Sequence, residues 1–292
     1  MRRFFLLALL LVAFSAGTAA PAVAITGNYV EDREHPFVGL VAFYDKAGTF
    51  IQRCSGSLLT PTVFLTAGHC TDGASTARVY FQQDAGAHFD PATELDRVSG
   101  YPDLCAGATL GVMCANSRQV HNYGFDSLGS LPDTRDAGLV ILDQPIVLPE
   151  YGSLAAAGSL DRLATQRGRQ ELTLTVSGYG LTESSPVSVT SFRERLMAQP
   201  SLTNLRSALT DGFNLQTNGN GSGRGGTCSG DSGGPVFYGG FASNTIVGVT
   251  SYGHLYCRGV AFAYRTDQAA LLSWIREVIG AEEFSAVSIV GI

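Results

Sequence analysis

Beyond residue 24 the apolar stretches of this chain are short and are broken by Gly, Pro, Asn and Asp, the punctuation of strands and tight turns. Val38–Tyr44, Gly56–Leu59, Val63–Thr66, Arg78–Phe81 and Gly138–Leu142 read as one set of strands. Glu171–Gly180, Pro235–Tyr238, Thr245–Ser251 and Val260–Tyr264 read as a second set, with a linker near Pro145 to Gly158. One helix stands out from this pattern: Ala270, Leu271, Trp274, Ile275 and Val278 recur at helical steps. Thr266 or Asp267 can cap its start and Gly280 its end, which predicts a helix over 267–279. Residues 281–292 extend past it, and Ser285–Val290 could add an edge strand or fray.

The first 24 residues follow a different pattern. Arg2-Arg3 are followed by an almost wholly apolar run from Phe4 to Phe14, and Ala22-Val23-Ala24 forms an A-x-A cleavage site. This predicts a signal peptide over 1–24, too short in its apolar part to rest across a membrane. The arginine pair partly matches a twin-arginine signal, but the polar residue expected before it is missing, which favours the general secretory route. Either route makes the protein secreted, with no membrane attachment after signal cleavage.

Composition narrows the class. Gly 35 and Pro 11 in 292 residues, with only 15% charged residues, suit many short strands, and 45% hydrophobic residues exclude disorder. The net charge of −6, and the lack of any Lys/Arg-rich run after residue 3, argue against a nucleic-acid partner. Six cysteines in an exported chain read as three disulfides, while spacing alone leaves their connectivity open. Neither a C-x-x-C pair nor a His pair at ligand spacing is present, so no metal site is expected. The Gly-rich run Asn218 to Gly226 reads as a structural loop.

Candidate chemistry centres on Gly230-Asp231-Ser232-Gly233-Gly234-Pro235 and, far upstream, Thr66-Ala67-Gly68-His69-Cys70. A serine hydroxyl needs a base beside it and N–H donors for a developing oxyanion, and glycines let backbone approach a substrate carbonyl closely. The same residues satisfy G-x-S-x-G, but that elbow needs an acid and then a histidine after the serine. Only His254 follows Ser232, and no Asp or Glu lies between Gly233 and Gly253, so the elbow reading fails on order.

The two motifs, together with Asp136-Ala137-Gly138-Leu139-Val140-Ile141-Leu142, resemble the chymotrypsin-like (trypsin family) serine proteases, with His, Asp and Ser in that family's order. The resemblance implies an all-β fold of two antiparallel six-stranded β-barrels over roughly 25–150 and 151–265, with the C-terminal helix packed on the second barrel. The whole protease domain would then span 25–280. It implies Ser232 as nucleophile, His69 as general base and then acid, and Asp136 as the residue that orients the imidazole. Asp126, Asp133 and Asp143 compete with Asp136, but only Asp136 directly precedes a continuous apolar strand. The gap from His69 to Asp136 is longer than usual in the family and holds Cys105 and Cys114. The backbone N–H groups of Gly230 and Ser232 would form the oxyanion hole, and Ser251 would hydrogen-bond the aspartate. The implied disulfides are Cys54 with Cys70, Cys228 with Cys257 and, by remainder, Cys105 with Cys114. His35, His88, His121 and His254 read as surface or packing residues.

Specificity and activation follow from the same resemblance. Gly226 would stand at the floor of the primary pocket, where a carboxylate would select Arg or Lys, and Gly253 would leave its mouth open. An apolar or aromatic P1 residue is expected, with Arg258 exposed rather than turned into the pocket. Ile25-Thr26-Gly27 is similar to the family's activated terminus, whose ammonium pairs with a buried aspartate, here Asp231. Since Ala24–Ile25 is also the signal-cleavage bond, one cut would both export and activate the chain. The expected protein is a monomeric secreted serine endopeptidase that needs no cofactor, acts on polypeptide substrates and is open to protein protease inhibitors. Its rivals are an inactive homologue that binds a partner and a secreted esterase.

Overall fold

A computed structural model describes residues 25–88, 105, 113–163, 172–191, 193–254 and 256–292. The expected signal peptide lies outside the described residues, as does most of the segment between Cys105 and Cys114. The first sheet runs, in spatial order, Cys114–Ser117, Thr76–Tyr80, Val38–Tyr44, Phe50–Leu58, Val63–Thr66, Gly138–Ile141 and Gln119–Asn122. Its two edges are consecutive in sequence, separated only by Arg118, so one kinked segment pairs with both ends and the sheet closes on itself. Counted this way it is a six-stranded antiparallel barrel, which leaves no exposed edge.

The second barrel closes in the same manner. Leu196–Ala198 pairs with Leu174–Gly178, and Ser201–Asn204, just past Pro200, pairs with Asn214–Asn218. The sheet continues through Val260–Arg265, Thr245–Gly253 and Pro235–Tyr238 back to Leu174–Gly178. Three short strands lie outside this ring: Tyr29–Glu31 on Leu196–Ala198, Ser153–Ala155 parallel to Thr245–Ile246, and Ile289–Val290 parallel to Leu154–Ala155. The extension after the helix therefore ends in an edge strand.

Close approach of strands explains the first core. Gly56 faces Phe64 so tightly that an added Cβ would lie 2.3 Å from the ring, so only glycine fits. Phe37, Phe43, Phe64 and Phe81 are fully buried here, and Ile25, Leu174, Leu196 and Leu215 fill the second core. The helix spans Ala269–Phe284, broken at Gly280 with φ 81°, and thus runs past the expected end. Its contacts also depart from packing on the second barrel alone. Trp274 meets Tyr123 at 5.1 Å, and Glu283 accepts from Thr60 at 2.5 Å and from Thr62 at 3.1 Å, which ties the helix to the first barrel as well.

Candidate active site

His69 enters from the first barrel. Strand Val63–Thr66 leads into a short helical turn, Gly68–Thr71, which the Cys54–Cys70 disulfide and the Gln52 side chain hold; Gln52 Nε2 donates to His69 O at 2.9 Å. Strand Gly138–Ile141 pairs Gly138 with Thr66, so the residue two positions before that strand's start is delivered to His69. That residue is fully buried Asp136. Its Oδ2 lies 2.9 Å from His69 Nδ1, and its Oδ1 accepts from the His69 backbone N–H at 2.8 Å. From the second barrel, Ser251 Oγ donates to Asp136 Oδ2. Three donors thus meet one buried carboxylate, which offsets its desolvation and fixes the ring with Nδ1 protonated. Two of the three competing aspartates are engaged elsewhere: Asp133 accepts from Tyr264 Oη at 2.9 Å and Asp143 pairs with Arg118 at 3.2 Å.

Ser232 stands on the loop between Cys228 and Pro235. Its carbonyl accepts from Ser55 N at 2.8 Å, and the next residue donates to Thr250 O at 2.8 Å, so both barrels grip the loop. Gly233, at φ 83°, lies against the strand that leads to His69; a Cβ there would fall 2.1 Å from Thr66 Oγ1 and 2.8 Å from Ala67 N. Among the described residues no carbonyl accepts from the N–H of Gly230 or of Ser232, while Gly230 O accepts from Ser55 Oγ at 2.8 Å. His69 Nε2 has its polar contact with Cys70 Sγ at 3.6 Å and none with Ser232 Oγ; such bonds are often long before substrate binds.

Beside Ser232 lies a cavity of about 250 Å³ lined by Thr227, Ser229, Thr250, Ser251, Tyr252 and Gly253, together with His254 and the Cys228–Cys257 disulfide. Among the described residues no carboxylate, Lys or Arg lines it. Of the expected pocket residues, Ser251 and Gly253 lie on this wall. Gly226 does not: it pairs with Thr26, and a Cβ there would meet Gly219 Cα at 3.4 Å. Arg258 is exposed and lines a different cavity with Thr26, Glu183 and Tyr256. His254, read from sequence as surface or packing, stands in the wall of the Ser232 cavity, and Phe125 packs edge-on against His69 at 5.8 Å. Neither carries a sequence signal, because both are defined by spatial neighbours.

Asp231 is fully buried, with its carboxylate accepting from Gly180 N and Cys228 N, each at 2.8 Å. Burial pushes its carboxyl up to about 7, against the opposing pull of those N–H groups and of the Arg53 charge. Ile25 is also fully buried, and Thr26–Gly27 pair with Gly225–Gly226 on the approach to this region. The three disulfides are Cys54–Cys70, Cys105–Cys114 and Cys228–Cys257. The closest grouping of metal-ligating side chains among the described residues, Cys54, His69 and Cys70, contains the first of these bridges, leaving a single imidazole donor.

Residues 24–275 match the model of the family described as Trypsin. The chain is 29% identical to chymotrypsin of Phaedon cochleariae over 259 residues, 86% of this chain and 80% of that one. It is 28% identical to CLIP domain-containing serine protease B10 of Anopheles gambiae over 54% of this chain, and spans only 42% of that longer protein. Among solved structures, HL collagenase superposes with a TM-score of 0.60 at 17% identity, covering 87% of this chain and 97% of that one.

Proposed function

Because the chain belongs to the trypsin family of serine proteases, we propose that it is a secreted serine endopeptidase working through an acyl-enzyme. The observation that supports this reading best is the hydrogen-bonded array Ser251–Asp136–His69 beside the tightly held Ser232 loop. In it, Ser232 Oγ attacks the scissile carbonyl and His69 Nε2 takes its proton. Asp136 holds the other ring nitrogen and balances the imidazolium. The carbonyl oxygen becomes an oxyanion that the N–H groups of Gly230 and Ser232 receive; one such donor is typically worth about 3 kcal/mol in the transition state. His69 then hands the proton to the departing amine, and water, deprotonated by the same nitrogen, releases the acyl group.

A cavity without charged lining favours uncharged side chains before the scissile bond, since a cation or anion desolvated there would lack a partner. Apolar and aromatic residues are the expected P1 class. Activation follows signal cleavage: the freed Ile25 ammonium pairs with Asp231 and sets the Gly230 loop. Export and N-terminal sequencing test this directly. Active enzyme beginning at Ile25 and cleaving peptides after Phe, Tyr, Leu or Met is the expected result. Secreted protein that hydrolyses esters but no peptide, or that binds peptides without cleaving them, would overturn it.

A further inference from the structure

A second Ser, Asp and His grouping lies inside the fold and takes no part in the chemistry above. Asp32, just past strand Tyr29–Glu31, is fully buried; its carboxylate accepts from Ser177 Oγ and meets His35 Nδ1 at 2.8 Å. His35 Nε2 faces Ser243 O at 3.0 Å, and Ser177 donates to the carboxylate rather than to the ring, so the grouping holds no nucleophile. Buried Arg195 completes it: Nε donates to Asp32 O at 3.0 Å and Nη1 to Tyr179 Oη at 3.3 Å. Charges taken out of water at this depth are expensive, and apolar residues in place of a buried ionic group are often as stable or more so. Stability alone therefore does not account for it.

What the grouping grips is the segment Ser177-Gly178-Tyr179-Gly180. Alternate residues of an extended chain point to opposite faces. Ser177 and Tyr179 turn toward Asp32 and Arg195, and Tyr179 Oη also donates to Gln82 O at 2.7 Å. Gly178 and Gly180 face Asp231, where Cβ atoms on them would lie 2.4 Å from its Oδ1 and 2.5 Å from its Cγ. The same segment holds both residues of the peptide that joins Gly230 to Asp231. Tyr179 N donates at 2.9 Å to Ser55 Oγ, which donates to Gly230 O at 2.8 Å, and Gly180 N donates to Asp231 Oδ1 at 2.8 Å. That peptide lies between the N–H groups of Gly230 and Ser232, the two oxyanion donors. We propose that Asp32, together with Arg195, is a positioning residue: through Ser177 and Tyr179 it fixes the 178–180 segment against Asp231 and so sets the aim of both donors. The proposal rests on the endopeptidase reading above.

The test compares the wild-type chain begun at Ile25 with Ser177→Ala and Tyr179→Phe, each of which loses one hydroxyl and little volume, and with Asp32→Asn, which removes the charge. Peptide hydrolysis gives kcat and KM, and inhibition is measured with a peptide aldehyde and with the matching peptide alcohol. The aldehyde carbon takes Ser232 Oγ, whose proton passes to His69, and its oxygen enters the oxyanion hole; the alcohol fills the same subsites without forming that bond. Each variant should lose roughly 5- to 30-fold in kcat with KM within about twofold, a fraction of the roughly 10²- to 10³-fold cost of deleting a whole oxyanion donor. The aldehyde Ki should rise by the same factor while the alcohol Ki stays put, because the lost interaction is made only with the oxyanion. Variants that are less stable in urea yet keep the wild-type kcat and aldehyde-to-alcohol ratio would make the grouping a brace of the fold and overturn the proposal, as would failure of all three to fold. A wild type that cleaves no peptide overturns the endopeptidase reading, and this proposal with it.

Discussion

Freeing the Ile25 amine should change stability in a way that depends on pH, and the size of the change follows from Asp231. With residues preceding Ile25, its nitrogen is an amide, and the buried Asp231 carboxyl is raised from 3.8 to about 7. A carboxyl that binds its proton more tightly folded than unfolded costs nothing below pH 4, where both states are protonated. The cost grows as pH rises from about 4 to about 7 and is constant above. The gap corresponds to about 4 kcal/mol at pH 8 and about 2 kcal/mol at pH 5.5, as order-of-magnitude figures. A chain that begins at Ile25 supplies an ammonium to the carboxylate and should recover much of that loss. Two proteins carrying Ser232→Ala to prevent self-digestion, one beginning at Ala24 and one at Ile25, would be unfolded in urea at pH 4, 5.5 and 8. The expected result is near-equal stability at pH 4 and an advantage of a few kcal/mol for the Ile25 chain at pH 8. Parallel profiles across the three pH values would refute the pairing of Ile25 with Asp231.

Other perturbations report on the remaining parts of the site. Ser232→Ala and His69→Ala should each lower kcat by about 10⁴-fold or more, with the double variant hardly worse, because the residues act as a unit; multiplicative losses in steady-state assays would contradict this. Asp136→Asn should leave the fold intact and lower kcat by roughly 10⁴-fold, while Asp133→Asn, which affects a bond to Tyr264, should not. Ser251→Ala removes one of three donors to a buried carboxylate and should cost about 1–3 kcal/mol of stability in urea unfolding, with no measurable cost refuting the role of that bond. Gly226 is absent from the lining of the cavity, so Gly226→Asp should leave the P1 profile of a peptide library unchanged; a shift toward Arg or Lys would place the floor of the pocket at that position after all.

The sequence carries the chemistry of this protein more openly than its packing. His69, Asp136 and Ser232 stand in contiguous motifs, and strands such as Val38–Tyr44 and Gly138–Ile141 show as apolar runs because both of their faces are largely buried. Asn214–Asn218 and Gln119–Asn122 escape notice since most of their side chains are polar and the pairing that makes them strands is supplied by distant partners. The choice of Asp136 over Asp133 is open to sequence reasoning only through the strand that follows it, whereas hydrogen bonds separate the two at once. Gln52, Arg53, Phe125 and His254 carry no local signal at all; each gains its place from the loop or barrel folded against it.

Everything proposed for this site turns on Ser232 acting as an activated nucleophile. A fluorophosphonate reacts only with a serine whose proton can be taken and whose developing anion is stabilised, so the most direct measurement is mass spectrometry of the chain begun at Ile25 after exposure to that reagent. A single adduct on Ser232, lost in Ser232→Ala and greatly slowed in His69→Ala, is the predicted result. An unlabelled protein, or one labelled on another serine at the same rate in the His69 variant, would contradict the account.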